Sequence, residues 1–162
     1  MIAIIGLLVG IAVGVLWHPV VPLWLEPYLP IAIGGVPGVH PIEMASAYCT
    51  FANDGAHVEP IAITRIANSR NETQAEFSSE GQQVISKKIN DDMDQMLRAV
   101  VTRGTGRSVS SVPEARGKTG TTNNDRDAWF IGYVPKKIVA ACWVGNDNYA
   151  PMSGAYGSIV CT

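Results

Sequence analysis

The run Gly117-Lys118-Thr119-Gly120-Thr121-Thr122 sets one cation, three hydroxyls and two glycines side by side. Two chemistries use such a run. A phosphate-binding loop reads G-x-x-x-x-G-K-[ST] and opens a helix at its lysine. Here the position five residues before Gly117 is Val112, and Asn123-Asn124-Asp125 and a strand-like run follow, so the nucleotide reading fails twice. The other chemistry is carboxylate recognition on a strand edge, where a cation and hydroxyls make charge-assisted hydrogen bonds. Gly120, having no side chain, lets a ligand lie flat against the strand. A backbone N–H just beyond it can polarise a scissile carbonyl.

The run has company. Asp127-Ala128-Trp129-Phe130-Ile131-Gly132-Tyr133 and Trp143-Val144-Gly145-Asn146-Asp147 follow it. Ahead of it stand Pro41-Ile42-Glu43-Met44-Ala45-Ser46-Ala47-Tyr48 with Phe51-Ala52-Asn53-Asp54-Gly55, and then Val100-Val101 with Arg103-Gly104-Thr105-Gly106. In this order the blocks resemble the C-terminal part of the transpeptidase domain of class A penicillin-binding proteins, in the serine β-lactamase-like superfamily, over roughly Leu29 to Gly157. The resemblance implies a role for each matched position. Lys118 would shape the electrostatics of the site, and Thr119, Gly120, Thr121 and Thr122 would bind substrate. The backbone N–H of Thr121 would supply half of an oxyanion hole. The implied ligands are a peptidoglycan stem peptide ending in D-Ala-D-Ala and β-lactams, with no cofactor and no metal. The implied location is the bacterial cell membrane, with the catalytic part outside the cytoplasm.

The family's Ser-x-x-Lys nucleophile motif is not in this sequence. Ser86 comes nearest, but position 89 is isoleucine. Ser69-Arg70-Asn71 matches the second motif, Ser-x-Asn, literally, but sits in a polar stretch that reads as a turn. The reading is therefore a truncated, rearranged or fragmentary transpeptidase domain. Two functions fit it: the carboxylate and oxyanion strand of a serine acyl-transfer site for cell-wall cross-linking, or a non-catalytic membrane-associated remnant.

The elements that would position the run can be read from pattern. Pro41 suits the first turn of a helix over 41–53, with Ile42, Ala45, Tyr48, Cys49 and Ala52 on one face and Asn53-Asp54-Gly55 as its stop. Residues 57–67 and 73–77 suggest a hairpin around the turn 68–72. A second helix is predicted over 90–103, with Asn90 as N-cap, Asp91 and Asp92 in the first turn, Arg103 in the last, and Met93, Met96, Leu97, Val100 and Val101 buried. Gly104-Thr105-Gly106 ends it. Strands over 117–122, 127–134 and 138–145 would then form consecutive antiparallel neighbours. Trp129, Phe130 and Trp143 read as core. The predicted class is α+β, a partial transpeptidase fold.

Composition bounds the rest. The 162 residues, 47% apolar and 16% charged with net charge −2, describe a folded chain with no basic field for nucleic acid. Residues 1–25 hold no Lys, Arg, Asp or Glu, and Gly6, Gly10 and Gly14 recur every four residues. Residues 2–17 read as one helix. A short membrane anchor, a signal sequence and a helix buried against a partner all fit, although no Lys or Arg supplies a signal's positive start. Residues 26–40, rich in glycine and proline, read as a linker. That leaves 41–162 as an incomplete transpeptidase domain. Cys49 and Cys142 fall in apolar patterns and read as plain core residues; no Cys or His spacing suggests zinc.

Overall fold

Pro41 opens helix α1 (Pro41–Ala52), as its fixed φ and missing N–H favour. Ser46, Ala47, Thr50 and Phe51 are buried along it. The stop lies at Asp54 and Gly55, both at positive φ (53° and 91°). Gly55 is needed there for space as well, because its backbone lies so close to the Ile85 carbonyl that a Cβ would collide. The computed structural model describes residues 38–162, of which Pro41–Thr162 is one compact unit. The helix expected over 2–17 lies outside the described residues.

Two short pairings follow α1. Strand β1 (Ala56–His57) pairs antiparallel with β4 (Gln82–Gln83), and β2 (Arg65–Ala67) with β3 (Thr73–Glu76). The long first strand expected over 57–67 is thus split, and Pro60, which lacks the N–H a ladder needs, stands in the gap. The turn between β2 and β3 is organised by Asn68, whose Oδ1 accepts from the N–H groups of Arg70 and Glu72 at 2.9 and 3.0 Å. Ser69-Arg70-Asn71 lies in this turn, with Asn71 at φ 61°.

Helix α2 (Lys87–Arg103) begins earlier than its acidic residues suggest. Its N-cap is Ser86, whose hydroxyl accepts from the Ile89 N–H at 3.4 Å. Asn90 is instead a buried residue inside the helix and donates from Nδ2 to the Phe51 carbonyl at 3.2 Å, tying α2 to α1. Asp91 and Asp92 lie beyond the first turn, where they pair with Lys87 and Lys88 at 2.7 and 3.0 Å. Leu97 and Val101 are buried, Met93 and Val100 half-buried, and Met96 exposed.

The main sheet is β5 (Arg116–Thr121), β6 (Asp127–Val134) and β7 (Ile138–Gly145), antiparallel in the order β5-β6-β7. Its register pairs Lys118 with Ile131, Gly120 with Trp129, and Trp129 with Trp143. Phe51, Ala52, Leu97 and Tyr133 form a core cluster beside Tyr48, Ile85, Met93 and Val139. Burial there pushes the Tyr48 phenol up to about 12. The aromatic residues divide by strand alternation. Phe130 is buried, Trp129 is half-buried, and Trp143, expected in the core, is 42% exposed. Trp143 stands on β7, an edge strand of this sheet, with its ring 6.4 Å from that of Trp129 and its Nε1–H donating to Asp127 Oδ1 at 3.0 Å.

Candidate functional site

Strand β5 presents the Lys-Thr-Gly run on an edge that pairs with no other strand among the described residues. The direction of its backbone groups follows from one hydrogen bond. The Thr122 N–H donates to the Asp127 carbonyl at 3.0 Å, towards β6. Antiparallel strands turn alternate N–H groups to opposite sides, so the N–H groups of Thr121 and Thr119 point to the free edge. The Thr119 carbonyl points the same way and accepts from Lys118 Nζ at 2.7 Å. The lysine amine therefore lies along the edge that carries the Thr121 N–H. Lys118 is exposed overall, but the protein around its amine disfavours the charged form and lowers its pKa.

Each threonine hydroxyl has a distinct partner. Thr119 Oγ1 lies 2.6 Å from Thr105 Oγ1. Thr121 Oγ1 accepts from the Gly157 N–H at 3.2 Å. Thr122 is committed elsewhere: its hydroxyl accepts from the Asp127 N–H and donates to the Asp127 carboxylate, both at 2.9 Å. Thr119 and Thr121 thus share the free-edge stretch of β5 with Lys118, and Thr122 turns the chain into β6.

Small residues let this strand seat. Gly117 and Gly132 are cross-strand partners, and the Phe130 ring lies against both, so close that a Cβ on either would collide with it. Gly120 sits beside Trp129, whose Cβ would be 3.1 Å from an added methyl. After a loop the chain returns as α3 (Gly157–Val160). Gly157 rests on the carbonyl oxygens of Trp129 and Gly120, where any Cβ would overlap them.

Cys142 of β7 is bonded to Cys161, with Cα atoms 5.6 Å apart, so the segment carrying α3 is tied to the sheet. This corrects the reading of Cys142 as a plain core residue: the return of the chain over the sheet brings a second thiol to it. Cys49 is free and half-buried, and burial raises its thiol pKa.

Sequence reasoning missed Thr105, Gly157 and Cys161 as parts of this site. A hydroxyl residue flanked by two glycines was the available signal for Thr105.

Residues 20–158 match the family model described as the penicillin binding protein transpeptidase domain. The chain belongs to that family. Among curated relatives, penicillin-binding protein 1F of Bacillus subtilis is 40% identical over 127 residues, covering 74% of this chain and 18% of the relative. Among solved structures, the penicillin-binding protein PonA1 from Mycobacterium tuberculosis has a TM-score of 0.68 at 29% identity, over 83% of this chain and 38% of that one. Penicillin-binding protein 1A from Haemophilus influenzae gives a TM-score of 0.72 at 23% identity, covering 80% and 25% respectively, and shares the fold. The transpeptidase-domain chain thus spans under a quarter of the first curated relatives it matches, with shares of 18%, 17% and 22%.

Proposed function

We propose that β5 is the carboxylate and oxyanion strand of a serine acyl-transfer site used in peptidoglycan cross-linking. The ligand is a stem peptide ending in D-Ala-D-Ala, or a β-lactam that presents a similar carboxylate beside a reactive carbonyl. One observation carries the reading: the Thr121 N–H and the Lys118 amine share the free edge of β5, next to the hydroxyls of Thr119 and Thr121. Thr119 and Thr121 donate to the carboxylate, and Lys118 supplies positive potential. Gly120 leaves room for the peptide to lie along the strand. The Thr121 N–H donates a hydrogen bond to the scissile carbonyl oxygen and stabilises the negative charge that develops on it, half of an oxyanion hole.

The acyl-enzyme step needs a nucleophile within reach of a base. No serine in this sequence has lysine three residues later, so in a second reading these residues bind the ligand without themselves acylating. The site is assigned to the outer face of the bacterial cell membrane. Among the described residues no helix is long and apolar enough to cross a membrane.

The test combines NMR titration of the full chain with a D-Ala-D-Ala peptide and intact-protein mass spectrometry after incubation with a fluorescent penicillin. Expected are shifts confined to Lys118–Thr121 and their neighbours, with no mass increase. The absence of any shift would sink the carboxylate reading. A mass gain equal to the β-lactam, abolished by replacing one serine, would show that the chain itself acylates.

A further inference from the structure

The hydroxyl of Thr105 lies outside the Lys-Thr-Gly run and 14 residues before Thr119, yet its Oγ1 is 2.6 Å from Thr119 Oγ1. Its placement is built. The N–H groups of Gly104 and Gly106, on either side of it, both donate to the Val100 carbonyl, at 3.1 and 3.0 Å. The two glycines pack closely as well: a Cβ on Gly104 would lie 2.8 Å from Val100 Cα, and one on Gly106 3.3 Å from Val100 Cγ1 and 3.5 Å from the Phe130 ring. Side chains at these two positions would force the turn away from α2 and carry Thr105 with it. The end of α2 thus does two things: it stops the helix and it aims a hydroxyl at β5.

We infer that Thr105 is a positioning residue that donates its hydroxyl proton to Thr119 Oγ1 and so leaves the Thr119 proton for a ligand carboxylate. A single proton occupies the space between the two oxygens. If Thr119 gave its proton to Thr105, it would face a carboxylate with lone pairs alone, and the two would repel. If Thr105 donates, Thr119 is free to donate outward. Thr121 follows the same logic with no ambiguity. Its partner is the Gly157 N–H, which can only donate, so the Thr121 hydroxyl accepts there and keeps its own proton for the ligand. Both threonines are then fixed as outward donors before ligand arrives, which spares the cost of ordering them on binding.

This inference rests on the carboxylate reading of β5, and the experiment separates the two. The full chain and its Thr105→Val and Thr105→Ser variants are titrated with a D-Ala-D-Ala peptide and with the same peptide as its C-terminal amide. The χ1 coupling of Thr119 is measured in each protein without ligand. The result expected is that Thr105→Val weakens binding of the free-carboxylate peptide about tenfold and leaves the amide peptide unchanged. Thr105→Ser restores binding. In the unliganded protein, Thr119 occupies one rotamer in the parent and Ser variant and averages in the Val variant. Equal binding of the free carboxylate by all three proteins would overturn the inference, as would a Thr119 coupling indifferent to Thr105. Failure of the parent chain to distinguish the two peptides would instead overturn the carboxylate reading, and the Thr119 coupling would then decide the positioning role alone.

Discussion

Arg116 Nε reaches both carboxylate oxygens of Asp94, at 2.8 and 3.0 Å, and so ties the first residue of β5 to the middle of α2. The Tyr133 hydroxyl donates to the same Asp94 Oδ1 at 3.0 Å. Arg116 Nη1 also donates to the carbonyl of Glu114 and, at 3.1 Å, to its Oε2, while Arg98 pairs with Glu114 at 3.2 Å. Arg116 is buried, so these partners replace the water it gave up. The line of β5 from Arg116 to Thr121, and with it the direction of the Thr121 N–H, starts from this anchor.

Removing Asp94 leaves a buried guanidinium and the Tyr133 hydroxyl without their shared acceptor. Asp94→Ala is expected to cost about 3 kcal/mol in urea unfolding. An apolar pair, Asp94→Leu with Arg116→Met, is expected to recover most of that loss, because it leaves no buried charge behind. A loss below about 1 kcal/mol for Asp94→Ala would show that β5 is held by packing and not by this anchor.

Lys118 is expected to cost stability for the sake of its site. Desolvation lowers its pKa in the folded chain. Between that value and its ordinary 10.5, the unfolded state binds more protons than the folded one, so stability from this group rises with pH. Lys118→Met should raise Tm near neutral pH and remove this rise on the alkaline side, while weakening binding of a D-Ala-D-Ala peptide. Thermal melts between neutral pH and the lysine range check the sign. A lower Tm for the Met variant would contradict it.

The fold was legible where local pattern and tertiary demand agree. The alternating aromatic and β-branched runs gave β6 and β7 with the ends expected from sequence, and β5 begins and ends one residue earlier than expected. The start of α2 was misplaced because two caps compete within five residues. Asn90 has the right chemistry for a cap, but the Phe51 carbonyl of another helix takes its amide, and Ser86 caps instead. The Lys-Thr-Gly stretch stood out in the sequence through the resemblance of the blocks around it to a known family. Thr105, Gly157 and Cys161 did not, since each acts through a partner brought near only by the folded chain. Gly104-Thr105-Gly106 looks like a helix stop in sequence, and it is one; its second use appears only when Thr119 lies opposite.

The Cys142–Cys161 bond closes a segment spanning 19 positions and restrains the return of α3 over the sheet. Cross-linking a loop of that size reduces the entropy of the unfolded chain by an amount worth about 3 kcal/mol. Reduction with dithiothreitol, or Cys161→Ser, is therefore expected to lower Tm, and the Thr121 amide should shift as Gly157 loosens. A non-reducing digest should release the two cysteine peptides joined. Unlinked peptides, or a melt indifferent to reductant, would contradict the tie.

Gly157 is the position where the smallest added group should do the most local harm. A Cβ there would overlap the carbonyl oxygens of Trp129 and Gly120. Both belong to strands in register with each other, so neither can rotate aside as a side chain would. In Gly157→Ala the start of α3 must therefore lift, and the bond from its N–H to Thr121 Oγ1, 3.2 Å in the parent, is lost. The Thr121 hydroxyl then has no fixed donor and no longer presents its proton outward by default. Because α3 is only four residues long, and the core cluster of Phe51, Leu97 and Tyr133 lies elsewhere, the damage should stay near the site. The expectation is a weakening of D-Ala-D-Ala peptide binding of about tenfold, with shifts centred on Thr121, Trp129 and Cys161. Gly154→Ala serves as the control: it too lies in the returning segment, but nothing stands within 4 Å of an added Cβ there, and its cost is backbone strain at φ 73° alone. If Gly157→Ala and Gly154→Ala bind the peptide equally well, the contact between Gly157 and Thr121 has no part in recognition.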